Sequence, residues 1–424
     1  MLKNNMETCM NINHENRPPH LVVIGGGSAG ISLIASLKKR IKNIAITLIE
    51  PAEYHYYQPA WTLVGGGAFD IRKTRREMKS VIPDNVIWLK DKVIRVAAED
   101  KYIETENGKK LDYDYLVVAC GLTLRWDKIA GLEETLGRNG VTSNYRYNLA
   151  SYTWQLVKEL RQGNAVFCQP PVPIKCAGAP QKALYLSCDH WRRQGCLEKI
   201  NVSFCLAGQA IFGVPEFVPP LKRYLAKYRA AVHFQHNLIR VDGERRQATF
   251  SLTGEGQQAQ EVTLPFDMLH VVPPQSAPDF IAHSGLADAA GWCDVDKYRL
   301  QHPRWPEIFA VGDCCGTPNA KTAAAARKQV VVVAENLAAL LNHHPLRSQY
   351  DGYGSCPLTV EKGKVVLAEF GYENRLLPTF PFLDSSRPGR LAWWLKAWFL
   401  PRFYWRGMLR GVEWFARSQP DNKK

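Results

Sequence analysis

The sequence lacks the long apolar segments that are typical of membrane-spanning helices and signal peptides. It contains no uninterrupted apolar run of about 18 residues, the length that a membrane-spanning helix needs, so we expect no such helix. Its first 19 residues include Glu7 and Glu15 and contain no apolar segment. We therefore interpret residues 1–19 as a disordered tail and predict no signal peptide.

The cysteines lack the spacing of a metal site or a disulfide scaffold. There are eleven, in a chain without a secretory signal, which argues against a disulfide framework. Cys188, His190 and Cys196 have no CxxC partner, and Cys314 and Cys315 are adjacent, so we predict no metal site. All but two of the cysteines are interpreted as small core residues, among them Cys120, Cys168 and Cys205.

The basic charge also lacks a recognisable pattern. The net charge of +14 would suit nucleic acid, anionic lipid or an acidic substrate, but Lys and Arg are scattered along the chain. Without a nucleic-acid-reading motif, we predict no nucleic-acid partner. A length of 424 residues with 46% hydrophobic content predicts about two or three domains with sizeable cores.

The sequence does contain a dinucleotide fingerprint near its N-terminus. A buried-type strand at residues 21–24 leads into Gly-Gly-Gly-Ser-Ala-Gly at 25–30, and a helix is predicted from Ser28 to about Lys39. A second strand at 44–49 ends at Glu50, where a carboxylate can accept hydrogen bonds from a ribose. The helix start favours a bound pyrophosphate. This pattern predicts cofactor contacts at Gly25, Gly27, Ser28, Ala29, Gly30 and Glu50.

The rest of the chain is interpreted as two nucleotide-type folds, one inserted in the other. Strands near 91–95 and 115–121 are assigned to the first fold, which resumes near 305–313. There Asp313 closes a strand and residues 320–326 open a helix. An acid at this place can hold the ribityl chain of a flavin, and the helix start can stabilise negative charge on the reduced ring.

The second fold lacks the glycine turn that a nicotinamide nucleotide would need. Its predicted strands at 165–168 and 201–205 flank a helix from about Gln181 to Arg193. The loop at 169–180 instead carries three prolines and then Cys176, so we predict no NAD(P)H site. A cysteine beside Lys175 and ahead of a helix start is expected to have a lowered thiol pKa and raised reactivity.

Five segments together resemble the sulfide:quinone oxidoreductases, specifically the type that includes the mitochondrial enzyme. The resemblance runs from about His20 to about Val412, and its most specific segments are residues 57–65, 175–182, 288–292, 321–325 and 353–358. It implies an α/β fold with two Rossmann-like dinucleotide-binding domains, one inserted in the other as in disulfide reductases, followed by a C-terminal amphipathic helical membrane-binding segment. The domain division that we expect is a tail at 1–19, an FAD-binding domain at 20–145 and 276–345, a second Rossmann-like domain carrying Cys176 at 146–275, and a C-terminal region carrying Cys356 at 346–424.

The resemblance also implies a mechanism. Cys176 and Cys356 would form a redox-active pair, bridged directly or through an extra sulfur, that hydrogen sulfide attacks. A persulfide would then form on Cys356 and a thiolate on Cys176, with the electrons passing to FAD and on to ubiquinone or menaquinone. The sulfur would pass to glutathione or another thiol, sulfite or sulfide, and the chain could form a homo-oligomer. The FAD contacts that carry over, besides those of the glycine turn, are Gln58, Val93, Asp313, Lys321, Thr322, Ala323 and Ala324.

The C-terminal segment is rich in aromatic and basic residues. Five of the twelve tryptophans lie between Trp393 and Trp414. We predict that Pro401 splits the segment into two short amphipathic helices that lie on a membrane surface, with its cations toward anionic lipid; these are Lys396, Arg402, Arg406 and Arg410. Removing everything after about Ser386 is expected to release the protein from liposomes and sharply reduce electron transfer to a long-tailed quinone, while sulfide still reduces the flavin. The alternative is an aromatic helix packed on the core.

Two other functions remain open from the sequence. A type II NADH:quinone dehydrogenase would share the architecture but needs the missing glycine turn. A non-enzymatic basic protein could retain a nucleotide fold only to bind nucleic acid or membrane. The N-terminal tail does not resemble the Arg- and Ser-rich presequence of mitochondrial members, so we expect a peripheral membrane protein without a clear mitochondrial presequence.

Overall fold

The computed structural model describes residues 17–252, 260–381, 384–416 and 418–420. Most of the tail interpreted as disordered, residues 1–16, lies outside the described residues. In chain order the strands are β1 His20–Ile24, β2 Ala45–Ile49, β3 Tyr54–Tyr56, β4 Arg75–Glu77, β5 Ile87–Leu89, β6 Val93–Ala97, β7 Tyr102–Thr105, β8 Lys110–Asp112, β9 Tyr115–Val118, β10 Thr123–Leu124, β11 Val141–Thr142, β12 Gly163–Gln169, β13 Ile200–Leu206, β14 Ala231–Phe234, β15 His236–Asp242, β16 Gln247–Leu252, β17 Gln260–Pro265, β18 Met268–His270, β19 Gln275–Ser276, β20 Ile308–Ala310, β21 Ser348–Gln349, β22 Gly354–Glu361, β23 Lys364–Phe370 and β24 Gln419–Pro420.

The helices lie between and after these strands. The α-helices in chain order are α1 Ser28–Arg40, α2 Trp61–Gly65, α3 Leu132–Thr135, α4 Tyr147–Glu159, α5 Ala179–Arg193, α6 Val218–Lys227, α7 Phe280–His283, α8 Ala323–Leu341, α9 Arg390–Trp394 and α10 Leu400–Arg406. Within the described ranges, no helix is long and apolar enough to cross a membrane.

Two five-stranded sheets dominate the fold, and both are parallel. The first has the strand order β20-β9-β1-β2-β5, and the second has the order β11-β18-β12-β13-β14. Strand β20 pairs with β9 although nearly two hundred residues separate them along the chain, so the first sheet is built from two distant segments. The predicted α/β class with two parallel sheets is confirmed.

The strand predicted near residues 91–95 is present, but it does not join the first parallel sheet. It forms β6, at the edge of the antiparallel sheet β6-β7-β8. Its residues alternate only partly between buried and exposed, unlike the continuous buried run of β1. Strands covered on both faces by helices need such continuous apolar runs, whereas an edge strand does not.

Helices α1 and α8 cover the first sheet because each presents an apolar surface to it. Leu33, Ile34 and Leu37 of α1 and Val332 and Val333 of α8 are fully or almost fully buried in one core with the strands. The long buried run in α8 contains four consecutive valines, at 330–333, which pack well because their β-branched side chains are stiff. This packing fixes the first turns of both helices beside the same edge of the sheet.

The C-terminal helices differ from the prediction. Helix α9 continues directly into a π-helical turn, Leu395–Phe399, and then into α10, so the chain is helical from Arg390 to Arg406. Pro401 lies in the first turn of α10 and does not split the segment. The proline ring is tolerated inside this continuous helix because the wider π-helical turn that precedes it relieves the clash of the ring with the preceding turn.

Candidate functional site

A cavity of about 590 Å3 extends from the glycine turn to the C-terminal helices. The glycine turn and Glu50 line one end, and Asp313 and the start of α8 line the middle. Cys176 lies in the wall beyond them, followed by aromatic side chains of the C-terminal segment. The cavity thus brings together three regions that are far apart in sequence.

The glycine turn has the close packing that its sequence predicts. Gly25 has a φ of +104°, and a Cβ added to Gly30 would lie 1.9 Å from the carbonyl oxygen of Gly25. A Cβ on Gly27 would meet no atom within 4 Å, and Gly27 lines the cavity. The turn therefore leaves an open path to the backbone at the start of α1, where Ser28 and Ala29 also line the cavity.

Glu50 is held rigidly at the end of β2. One carboxylate oxygen accepts the N–H of Gly26 at 2.7 Å, and the other accepts the N–H of Ala52 at 2.8 Å. Each oxygen retains a lone pair that can accept a further hydrogen bond. Its carboxylate is therefore oriented for a hydroxyl-bearing ligand in the cavity.

Asp313, Gln58 and the start of α8 lie together in the cavity wall. Thr322 caps α8 by accepting the N–H of Ala325 at 3.1 Å, and Ala323 and Ala324 follow it in the wall. Lys321 lies behind the wall, 6% exposed, and donates to the carbonyl oxygens of Asp313 and Cys315 at 2.9 and 2.8 Å. Lys321 would therefore support the turn and not contact a ligand directly. Val93, in β6, is not in the cavity wall.

Polar side chains that the sequence interpretation missed also face this part of the cavity. Thr62 and Asn144 are 7% and 4% exposed, and the structure gives no hydrogen-bond partner among its described residues to the Thr62 hydroxyl or the Asn144 amide. Buried polar groups are almost always hydrogen-bonded, so these two indicate a polar ligand. With the open turn at Gly27, the Glu50 carboxylate and two helix N-termini, the residues present fit a flavin dinucleotide.

Cys176 and Cys356 are brought together from positions 180 residues apart. Their Sγ atoms lie 3.4 Å from each other, and both are free thiols. Cys356 lies in β22, and Cys176 has a φ of +50° in the loop before α5. The backbone N–H of Cys176 donates to the Lys321 carbonyl at 2.8 Å, which ties the loop to the turn before α8.

Gly178 makes this approach possible. A Cβ at this position would lie 2.7 Å from the Cys356 Sγ and 2.2 Å from a methyl carbon of Leu358. Helix α5 begins at the next residue, two residues earlier than predicted, and Pro180 occupies its first turn. The loop can therefore lie directly on β22 with Cys176 ahead of a helix N-terminus.

Lys182, and not Lys175, is the cation beside Cys176. The Nζ of Lys182 donates to the Cys176 Sγ at 3.0 Å, and Lys182 is only 2% exposed. The predicted partner, Lys175, instead donates to Gln58 and lies 3.7 Å from the Asp313 carboxylate. Lys175 is wrong as the activating residue because its side chain extends toward Gln58 and Asp313, whereas Lys182 lies in α5 and contacts the Cys176 sulfur.

The pKa values of the two thiols are shifted in opposite directions. A hydrogen bond from Cys356, together with the positive charge of Lys182, holds the pKa of Cys176 well below its ordinary value. The same hydrogen bond and burial raise the pKa of Cys356 well above its ordinary value. Burial alone would lower the pKa of Lys182, but the negative charge of the Cys176 thiolate outweighs it and raises that pKa. The pair is therefore best described as a Cys176 thiolate and a Cys356 thiol.

Lys396 also lies in this region, which corrects its predicted position at the membrane surface. It is 6% exposed and lines the cavity, because the π-helical turn directs its side chain inward. Arg402, Arg406 and Arg410 are exposed, as predicted. Burial, reinforced by the charge of Lys182, lowers the pKa of Lys396 to about 7.

Tyr404 of α10 connects the C-terminal segment to the glycine turn. Its hydroxyl lies 2.5 Å from Nε2 of His55 and 2.6 Å from the Ser28 hydroxyl. Nδ1 of His55 donates to the carbonyl of Gly26 at 2.9 Å, which leaves Nε2 to accept from Tyr404. Burial lowers the pKa of His55 to about 4, so the imidazole is neutral near pH 7. No sequence motif indicated this network.

Aromatic residues form an exposed rim where the C-terminal segment borders the cavity. The rings of Trp398, Trp394, Phe399, Phe403 and Trp414 stack in that order with centroid separations of 5.0, 6.1, 5.8 and 6.0 Å. Trp394 and Trp398 are each 45% exposed, and Trp414 is 62% exposed. Single exposed aromatics are common, but a contiguous group marks an interaction surface.

Comparison with known proteins agrees with this geometry. Residues 19–158 match the pyridine nucleotide-disulphide oxidoreductase family. The mitochondrial sulfide:quinone oxidoreductase of Dictyostelium discoideum is 41% identical over 404 residues, which cover 94% of this chain and 87% of that protein. The mitochondrial sulfide:quinone oxidoreductase of Mus musculus is 40% identical, with coverage of 92% of this chain and 86% of that protein.

A solved structure shows the same fold. The sulfide:quinone oxidoreductase of the hyperthermophilic bacterium Aquifex aeolicus superposes with a TM-score of 0.78 at 21% identity, covering 95% of this chain and 96% of that one. The resemblance inferred from the five sequence segments is confirmed by the two relatives at about 40% identity. This chain belongs to the sulfide:quinone oxidoreductase family, in the type that includes the mitochondrial enzymes.

Proposed function

We propose that this chain oxidises hydrogen sulfide at the Cys176 and Cys356 pair and passes the electrons through FAD to a membrane quinone. The observation that carries the proposal is the 3.4 Å approach of the two sulfurs beside the cavity that the glycine turn begins. The family relationship supports sulfide and quinone as substrates, since two relatives that share about 40% of the sequence carry that activity in their names.

In the proposed reaction, a hydrosulfide ion attacks the Cys356 sulfur of the oxidised, bridged pair. A new S–S bond forms to Cys356 and the bond to Cys176 breaks, which leaves a persulfide on Cys356 and a thiolate on Cys176. The sulfur spacing also suits a bridge with one extra sulfur, because two S–S bonds of about 2.05 Å, joined at a bent sulfur, span a similar distance.

The contact between Lys182 and Cys176 supports this direction of attack. The sulfur that is better stabilised as a thiolate is the better leaving group in thiol–disulfide exchange. The Nζ of Lys182 lies 3.0 Å from the Cys176 Sγ, so Cys176 leaves as the thiolate. Cys356 then retains the sulfur until an acceptor thiol, sulfite or sulfide takes it. Closing the bridge again releases two electrons and one proton, since Cys176 is already a thiolate.

A bound FAD would supply the two-electron redox chemistry that connects the thiol pair to a quinone. The residues proposed to hold it are Gly25, Gly27, Ser28, Ala29, Gly30, Glu50, Gln58, Asp313, Thr322, Ala323 and Ala324, with Lys321 behind the turn and Val93 at the adenine. The start of α8 faces the cavity and would favour negative charge on the reduced ring. We also propose that the domain boundaries lie where the sequence predicts them, between residues 145 and 146, 275 and 276, and 345 and 346.

The aromatic rim is the proposed membrane and quinone entrance. Phe399 and Phe403 line the cavity together with Trp394, and Trp394 and Trp398 are also exposed to solvent. Arg402 lies over the Trp398 ring at 4.1 Å, so cations and aromatic rings share one surface, as in helices that lie at a bilayer interface. The proposed location is therefore peripheral on a membrane.

Anaerobic addition of reductants to the purified protein tests the function. Sulfide should bleach the flavin absorbance, and a ubiquinone analogue should restore it. Bleaching by NADH in place of sulfide would identify a type II NADH:quinone dehydrogenase, and a colourless protein would favour a basic binding protein without a cofactor.

A further inference from the structure

A buried carboxylate lines the cavity on the hairpin formed by β22 and β23. Glu369 of β23 is only 4% exposed. Its Oε1 accepts from the Tyr353 hydroxyl at 2.5 Å and from the Thr379 hydroxyl, and its Oε2 accepts from the Thr379 N–H at 3.0 Å. These three donors are neutral groups. Carboxylates are rarely buried without a charged partner, so the role of Glu369 calls for an explanation.

The hairpin separates this carboxylate from the thiol pair. Successive residues of a strand face opposite sides, and Ser355 of β22 pairs with Glu369 of β23. Ser355, Leu367 and Glu369 line the cavity. Their neighbours Cys356 and Ala368 are instead buried in the core on the other side of the hairpin. Glu369 therefore lies on the face of the hairpin opposite the Cys356 sulfur, away from the reaction with sulfide.

The Tyr353 side chain is fixed between Glu369 and its other neighbours. Its backbone N–H donates to Asp351 at 3.1 Å, and the Nζ of Lys328 lies 4.3 Å from the centre of its ring. Burial, together with the negative charge of Glu369, raises the pKa of Tyr353, although the charge of Arg327 opposes them. The hydroxyl therefore keeps its proton and donates it to the carboxylate.

Arg327 supplies a cation in the same part of the cavity. It lies four residues after Ala323 on α8, and both residues line the cavity. Helical residues four apart are neighbours on one face, so Arg327 lies about one turn from the helix start at which the flavin is proposed to bind. Its Nη2 donates to the Phe415 carbonyl at 3.3 Å, but the structure gives its buried Nε–H no partner among the described residues. An unpaired buried donor indicates a ligand with an acceptor oxygen.

We propose that Glu369 and Tyr353 pass protons from solvent to the quinone, and that Arg327 stabilises the negative charge that develops on the quinone oxygen. This inference rests on the proposed function. A quinone takes up two electrons and two protons to become a quinol. The electrons come from the thiol pair by way of the flavin, and each proton that does not travel with them must cross the cavity wall.

The hydrogen bonds of Glu369 define the path of such a proton. It enters on the side of Thr379, which is half-buried and follows the exposed Pro378. Glu369 holds this proton and gives it to the Tyr353 oxygen, while the original O–H bond of Tyr353 breaks and a new O–H bond forms on the quinone. One proton has then moved from solvent to the quinone, and both side chains have returned to their starting states.

The test separates the two half-reactions by anaerobic double-mixing stopped flow with the full-length holoenzyme. Sulfide first bleaches the flavin, and a ubiquinone analogue then restores its absorbance. Glu369→Gln keeps the shape of the side chain but cannot carry a proton, so bleaching by sulfide should be unchanged and reoxidation by the quinone about tenfold slower or more. Ferricenium, an oxidant that takes up one electron and no proton, should reoxidise the variant at the parent rate.

Glu361→Gln is the matched control. Glu361 is a buried carboxylate of the same hairpin, but it pairs with Lys227 and Lys364 and does not line the cavity. Both half-reactions of this variant should proceed at the parent rates. Flavin content and the thermal unfolding midpoint check that each variant is folded.

Tyr353→Phe keeps the inference testable if Glu369→Gln does not fold, because it removes only the hydroxyl. It should slow the quinone step in the same way, and so should Arg327→Met. Reoxidation by the quinone at the parent rate in these variants, or equal slowing with ferricenium, would overturn the relay. If sulfide fails to bleach the parent flavin, or the quinone fails to restore it, the proposed function itself is wrong.

Discussion

Replacing Tyr404 by phenylalanine tests how the C-terminal segment is attached to the cofactor site. The substitution removes only the hydroxyl that joins Ser28 and His55. Tyr404 and His55 are 3% and 2% exposed, so water cannot easily take its place. One hydrogen bond is lost at a net cost of about 1 kcal/mol, and the buried Nε2 of His55 is left without a donor at a cost of about 1–3 kcal/mol.

The expected loss is therefore about 2–4 kcal/mol, seen as a fall of a few degrees in the thermal unfolding midpoint at fixed flavin concentration. The affinity of the apoprotein for FAD should also fall, because Ser28 begins the helix at the glycine turn. Tyr57→Phe is the matched control: its ring lies 4.7 Å from that of Tyr404, but the structure gives its hydroxyl no hydrogen bond to the described residues. Equal effects of the two substitutions would refute the network.

Three further predictions concern the site and its surroundings. Gly178→Ala should push β22 away from the Cys176 loop and lower the free energy of unfolding by about 1–3 kcal/mol. It should also slow flavin bleaching by sulfide in a single-turnover experiment without loss of flavin, and an unchanged rate would contradict the close packing. Trp394→Ala combined with Trp398→Ala should weaken liposome binding by about tenfold or more, while Trp191→Phe, at a buried position, should not; sedimentation with anionic vesicles measures this. The pKa of His55 is about 4 in the folded protein and 6.5 ordinarily, so the unfolded state binds more protons between these two pH values. The free energy of unfolding should therefore fall by up to about 3 kcal/mol as pH decreases from 6.5 to 4. Denaturant unfolding of the parent and His55→Gln at several pH values should show a smaller loss in the variant.

The sequence was most informative where the contacts are local. Gly25, Gly30 and Glu50 lie within one strand–helix–strand unit, so their spacing alone predicts the turn and the oriented carboxylate. The same holds for Asp313 and the start of α8, which follow one another directly. The partnership of Cys176 and Cys356 came from the family resemblance, because nothing local relates residues 180 positions apart.

The remaining site residues could not be predicted because their roles arise from long-range packing. Tyr404 bonds to Ser28 across 376 residues, and its sequence neighbours are aromatic and basic, as expected for a membrane segment. Lys396 was assigned to the membrane surface with the arginines, but the π-helical turn changes the direction of its side chain. Lys182 lies only six residues from Cys176, within the segment 175–182 that carries the family resemblance. Whether Lys175 or Lys182 faces the thiol depends, however, on where α5 begins.

The central claim is that Cys176 and Cys356 together carry the reaction with sulfide. The most direct measurement is anaerobic stopped-flow absorbance of flavin-loaded Cys176→Ser and Cys356→Ser after mixing with sulfide, beside Cys188→Ala, which removes a buried thiol elsewhere in α5. Both serine variants should retain flavin and show no sulfide-dependent bleaching, while Cys188→Ala should be reduced like the parent protein. Reduction of either serine variant at the parent rate would contradict the two-thiol mechanism.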